Sequence, residues 1–156
     1  LYPLEAVGAG DSTLAKAYER DALTMIPTKS KLMPHAREVL EYLSGKYNLY
    51  ILSNGFKELQ SHKMRSSGID EYFKKVVLSD DIGILKPWPE IFHFALSTTQ
   101  SELNNSLMIG DSWENDIVGA AGVGMHQVFY NLSGRTDLPF APTYQITDLK
   151  DLFNFL

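Results

Sequence analysis

The sequence predicts an α/β fold in which helices cover both faces of a parallel sheet. Two observations predict it. Short continuous apolar runs recur along the chain, at Leu49–Leu52, Val76–Leu78, Leu107–Ile109 and Val128–Phe129, as expected for strands buried on both faces. Between these runs, apolar residues recur at three- and four-residue spacing, bounded by proline or glycine, which is the pattern of helices. Strands that alternate with helices build a parallel sheet through crossover connections.

Each element has a local justification. Asp11 and Ser12 are good N-cap residues, and Leu14, Ala17, Tyr18, Ala22 and Met25 follow at helical spacing until Pro27, so residues 1–30 read as helical. Pro34 is placed as a first-turn proline; Val39, Leu40 and Leu43 then form one apolar face, and Gly45 is the stop. The strand at Leu49–Leu52 leads to a helix carrying Phe56, Leu59, Lys63 and Met64, with Phe56 expected in the core and Gly68 as the end. After Val76–Leu78, Pro89 opens a helix through Ile91, Phe92, Ala95 and Leu96. Leu107–Ile109 is the third strand, followed by a helix around Ile117–Ala121 that Gly122-Val123-Gly124 stops. Val128–Phe129 is the fourth strand, Tyr144–Ile146 a short fifth, and Leu149, Leu152 and Phe153 mark a closing helix.

Composition excludes several classes. The 156 residues are 44% hydrophobic, enough for a core and too much for a disordered chain. The net charge of −5 argues against a non-specific nucleic-acid binder, which would be basic. No apolar run approaches the roughly 18 residues of a membrane-crossing helix, so no membrane partner is expected. The absence of cysteine removes disulfides, thiolate metal sites and cysteine nucleophiles, and fits a reducing, cytoplasmic setting. Asn104-Asn105-Ser106 and Asn131-Leu132-Ser133 match a glycosylation triplet but read as chance.

In a parallel α/β sheet, chemistry collects beyond the carboxyl ends of the strands. After the first strand comes Ser53-Asn54-Gly55, just before a helix, where free backbone N–H groups suit an oxyanion and where an ordinary capping turn fits equally. After the second, Lys86 sits before Pro87-Trp88-Pro89, placed either to neutralise a phosphate or an aspartate, or to be a solvated surface lysine. After the third, Asp111 and Asp116 straddle the strand-to-helix loop of Gly110-Asp111-Ser112-Trp113-Glu114-Asn115-Asp116. Hard carboxylate oxygens suit Mg²⁺; the same residues also read as an N-cap and a solvated first-turn acid. In combination, a hydroxyl, a lysine and an acidic pair land on one sheet edge and form an anion-plus-metal set, as phosphoryl transfer requires.

The stretches LYILSNG, GILKPWPEIF and MIGDSWENDIVGA, in this order and spacing, resemble the second, third and fourth motifs of the haloacid dehalogenase superfamily. The resemblance covers roughly residues 31–156 and implies a Rossmann-like three-layer α/β/α core. Residues 1–30 resemble the end of the helical cap of the family's subfamily I, and the wording of the motifs is similar to its nucleotidase and small-phosphate phosphatase branch. The resemblance implies that Ser53, with backbone N–H groups around Asn54 and Gly55, binds a phosphoryl oxygen. It implies that Lys86 balances charge on nucleophile and phosphate, that Asp111 ligates Mg²⁺, and that Asp116 supports the metal directly or through water. The implied substrate is a small phosphorylated metabolite, with a nucleoside monophosphate and a sugar phosphate both compatible.

One departure is large. The family's first motif, DxDxT, whose first aspartate is the nucleophile, is not found. Ala9-Gly10-Asp11-Ser12-Thr13-Leu14 has alanine where the nucleophile belongs and no strand-like run before it, so Asp11 or Ser12 is read as a helix cap. The chain also begins with Leu1 rather than Met. The expectation is therefore a piece of a longer protein, with a core lacking its first, central strand, inactive by itself, and with a rearranged sheet or a strand-exchanged oligomer if it folds alone. A non-catalytic phosphate-binding module and a metal-independent dehalogenase are the alternatives, the latter disfavoured by the presence of both Asp111 and Asp116. His35, His62, His93 and His126 are dispersed and read as surface or packing residues. Trp113 is read as packing in preference to stacking on a substrate ring.

Overall fold

The computed structural model describes residues 30–55 and 57–156. The helical reading of residues 1–30 therefore lies outside the described residues except at its last position. So do the Ala9–Leu14 string, its proposed caps Asp11 and Ser12, and Phe56. Helix α1 spans Ala36–Ser44, strand β1 Leu49–Ser53, α2 Lys57–Ser67, β2 Phe73–Leu78, α3 Pro89–Thr99 and β3 Leu107–Gly110. A π-helical turn at Trp113–Val118 runs into the short helix α4, Gly119–Gly122; β4 (His126–Tyr130), β5 (Tyr144–Ile146) and a 3₁₀ helix at Leu149–Asn154 complete the order.

Every ladder among the described residues is parallel, as the strand–helix alternation predicts. β1 pairs with β2, Ser53 lying opposite Leu78. β3 pairs with β4, Gly110 opposite Phe129, and β4 pairs with β5, Tyr130 opposite Ile146. Among the described residues these form a two-stranded and a three-stranded sheet, and no ladder joins β1 to β3.

Packing joins what hydrogen bonds do not. One core contains Val39 and Leu43 of α1, Val128 and Tyr130 of β4, Ile146 and Leu152, with Leu49 of β1 and Leu107 and Ile109 of β3 against it. A second core on the opposite face contains Ile91 and Phe92 of α3, Ala120 and Met125, with Leu52 of β1 and Met108 of β3 against it. Leu107 and Ile109 thus face one core and Met108 the other, the two-residue alternation of a strand with both faces covered. Both cores draw residues from both sheets, so the described residues from 30 onward form one three-layer α/β/α body.

Two local readings are corrected, on strand burial and on Pro34, while the stop at Gly45 holds. β1 and β3 are both expected to be buried on both faces, yet every residue of each is only half-buried; among the described residues each has a partner strand on one side alone. Pro34 lies in a turn ahead of α1 and not in its first turn, and His35, with a left-handed φ of 61°, intervenes before Ala36. Gly45 closes α1 with an ordinary φ of −77°, so the helix stops there without using glycine's freedom. Gly68 does use it: α2 ends with φ +62° at this residue, and the following Ile69 N–H returns to the Met64 carbonyl. Pro89 opens α3 as expected, at a position where the missing N–H costs nothing.

Candidate functional site

The carboxyl ends of β1 and β3 meet at one side chain. The Lys86 ammonium donates to the carbonyl of Leu52, the penultimate residue of β1, at 2.8 Å and to Asp116 Oδ1, beyond β3, at 2.6 Å. Both partners are shielded from water, with 10% and 6% of their side chains exposed. A buried charge needs a paired and hydrogen-bonded environment, and this one has it. An ammonium has three N–H groups, and the partners among the described residues occupy two.

The backbone holds this lysine in place. The Asn54 side chain donates its amide to the Lys86 carbonyl at 3.0 Å and accepts the Lys86 N–H at 2.7 Å. This two-way clamp ties the loop before α3 to the turn after β1. The Lys86–Pro87 peptide is cis. Ser53 ends β1, and its Oγ accepts the side-chain amide of Gln60 at 2.8 Å. Gly55 completes the turn.

Asp116 is aimed by the turn after β3. Its Oδ2 accepts the Ser112 N–H at 3.0 Å, and Ser112 Oγ caps the turn by accepting the Asn115 N–H at 3.3 Å. The Asp116 and Ile117 N–H groups both reach back to the Ser112 carbonyl; this π-helical widening sets Asp116 inward. A β-carbon on Gly110 would overlap the Asp116 carboxylate, so glycine is required where the aspartate crosses the strand end. Asp111 follows Gly110 in the chain and is exposed.

A family model described as "Hydrolase: haloacid dehalogenase-like hydrolase" matches residues 3–124. The chain belongs to this family. It is 31% identical over 126 residues to the pyrimidine 5'-nucleotidase YjjG of Escherichia coli, covering 80% of this chain and 56% of that protein. It is 30% identical over 154 residues to the phosphoserine phosphatase of Thermus thermophilus, covering 96% and 59%. Among solved structures, that of YfnB from Bacillus subtilis bound to magnesium superposes with a TM-score of 0.86 at 28% identity, covering 100% of this chain and 73% of that one. The chain thus spans somewhat more than half the length of these two curated relatives.

For a haloacid dehalogenase-like chain, the fit to magnesium can be judged from the donors. Mg²⁺ takes hard oxygen ligands, commonly one or two carboxylates completed by water and phosphate oxygens. Asp111 offers an exposed carboxylate, whereas Asp116 already shares its two oxygens with Lys86 and Ser112. No group of three or more His, Cys, Asp or Glu side chains gathers among the described residues. The donor set is therefore of the right chemistry and is made of two carboxylates of unequal freedom.

Several placements were legible and others were not. Lys86, Asp111 and Asp116 lie beyond the ends of β2 and β3, as the sequence reading has them, whereas Ser53, read as following the first strand, is its last residue. The reading of Asp116 as a solvated first-turn acid and of Lys86 as a surface lysine does not survive, because the two pair in a shielded site. Trp113 is buried, packed edge-on to Phe129 and tilted against Phe140, so the packing reading holds. All four histidines are at the surface, and His35 bonds Asp148 at 2.7 Å. Gln60, Gly110 and the side-chain role of Asn54 were missed; a single polar residue or glycine has no periodicity to betray it. Beside the acidic loop, Arg135 pairs with Glu114 at 2.7 Å, and that hydrogen bond holds the Glu114 carboxyl below the ordinary glutamate range.

Proposed function

We propose that residues 31–156 form the phosphate- and metal-holding core of a magnesium-dependent phosphate monoester hydrolase, and that residues 1–30 belong to a helical cap. The observation that carries this reading is Lys86, whose shielded ammonium joins the ends of β1 and β3 and, among the described residues, has two of its three N–H groups engaged. In the full-length protein, a nucleophilic aspartate from a strand seated between β1 and β3 attacks phosphorus, and the P–O bond to the substrate alcohol breaks as the second aspartate of the same motif protonates the leaving oxygen. That carboxylate then takes a proton from the hydrolytic water, which cleaves the aspartyl phosphate and releases inorganic phosphate. The unlinked edges of β1 and β3 and their shared cores support such a seat.

Within this scheme each residue has a distinct task. The Ser53 hydroxyl and the N–H groups of Asn54 and Gly55 donate to phosphoryl oxygens. Lys86 offsets negative charge on phosphate and nucleophile. Asp111 would hold Mg²⁺, and Asp116, engaged by Lys86, would support it as a ligand or through water. When bound, the metal supplies charge neutralisation at the phosphoryl group. The substrate is a small phosphorylated metabolite, a nucleotide or a sugar phosphate; the nucleotidase and phosphoserine phosphatase names of the relatives are consistent with this class.

The test is phosphate release by the full-length protein from a panel of nucleoside monophosphates and sugar phosphates, with and without chelator. Release that stops in chelator and in Lys86→Ala is expected, while the present chain alone turns nothing over but binds inorganic phosphate. Dehalogenation that persists in excess chelator, with no phosphate release, refutes the reading. Turnover by the 156-residue chain alone refutes the placement of the nucleophile outside it.

A further inference from the structure

A serine hydroxyl has one proton to give and two lone pairs to accept with. Which of these faces a ligand depends on what else the oxygen bonds. At Ser53 the structure answers this through Gln60. That side chain stands near the start of α2, seven residues along the chain, and its Nε2–H donates to Ser53 Oγ at 2.8 Å in a part-buried setting. The oxygen is thereby the acceptor in this bond, and its own proton is not used by it.

The approach of Gln60 is built into the turn. A β-carbon at Gly55 would stand 2.6 Å from Gln60 Nε2 and 3.1 and 3.2 Å from its Cγ and Cδ. The glutamine side chain therefore passes directly over Gly55, and any larger residue there would push it off the serine. Gly55 is ordinary in backbone angle, since it is not among the glycines with positive φ. Its requirement is room for Gln60.

We propose that Gln60 is a positioning residue, which holds Ser53 Oγ from the helix side so that the hydroxyl proton is presented to an anionic phosphoryl oxygen. This rests on the phosphate reading of the site given above. Gln60 itself does not touch the phosphate.

The test uses the whole chain, with inorganic phosphate in magnesium buffer as the probe and calorimetry as the readout. Gln60→Ala is expected to weaken phosphate binding about five- to tenfold, the value of one hydrogen bond. In a Ser53→Ala background the same substitution is expected to change nothing further. Gln60→Glu, nearly the same shape, is expected to weaken binding at least as much, because a carboxylate accepts the serine proton and adds negative charge. Gln60→Met keeps the volume if the alanine variant unfolds, and is expected to behave like alanine. A second measurement follows the Gln60 side-chain amide by NMR, whose signal is expected to move in Ser53→Ala without any phosphate present. Equal losses with and without Ser53, or unchanged binding in Gln60→Glu, overturn the proposal. An amide signal indifferent to Ser53→Ala, in a chain that does bind phosphate through Ser53, overturns the Gln60 role alone. A chain that binds no phosphate although the amide signal responds overturns the phosphate reading and the presenting role together.

Discussion

Lys86→Met tests the centre of the site. Methionine keeps most of the stem's length and removes the ammonium. Two groups then lose a donor: the Leu52 carbonyl, bonded at 2.8 Å, and the Asp116 carboxylate, bonded at 2.6 Å. Asp116 keeps only the Ser112 N–H at 3.0 Å among the described residues, while 6% of its side chain reaches solvent. Removing one partner of such a shielded pair costs about 3–5 kcal/mol, against a total stability of about 5–15 kcal/mol for a domain. Urea unfolding followed by tryptophan fluorescence measures it. Trp113, at 3% exposure, reports the transition, and Trp88, at 65%, adds a nearly constant background. With a urea slope of about 2 kcal/mol per molar, the midpoint is expected to fall by about 2 M. Lys86→Met combined with Asp116→Leu removes the stranded charge and is expected to recover much of that loss, since well-packed apolar residues can replace a buried pair at little cost. A midpoint shift below about 0.5 M, the range of an exposed ion pair, or simple additivity in the double variant, would refute the reasoning.

Two further outcomes follow from local geometry. In Gly119→Ala the new β-carbon would stand 2.6 Å from the fully buried Phe92 ring and 3.0 Å from Pro87 Cα, so a stability loss of about 1–3 kcal/mol is expected in the same urea assay. Gly122→Ala, which meets nothing within 4 Å, serves as its control and is expected to be neutral or stabilising by up to about 1 kcal/mol. The Asp148 carboxyl is held below the ordinary aspartate range, first by the Lys150 backbone N–H and then by His35. Its contribution to stability is therefore present above the ordinary aspartate pKa and lost as pH falls through the depressed value. Asp148→Asn is expected to flatten that acid-side slope in stability measured from neutral to acid pH; an unchanged slope contradicts the assignment.

The sequence by itself determined the order of elements and the edge on which chemistry collects. Apolar runs and helical spacing declare which residues face inward, and that information is local and repeated, so it reads directly at β2, α3 and β4. Ser53, Lys86, Asp111 and Asp116 could be assigned to strand ends because the parallel topology leaves few other places for them. Tertiary structure alone decided how those residues meet. Lys86 reaches Asp116 across 30 residues and locks to Asn54 across 32; no pattern in the chain encodes such a distance, because it depends on where two loops end. The half-burial of β1 likewise depends on which strands flank it and not on its own apolar run. Gly55 and Gly110 look alike in sequence, yet one makes room for an amide and the other for a carboxylate. A missing side chain has meaning only through the neighbour that fills its space, and that neighbour is chosen by the fold.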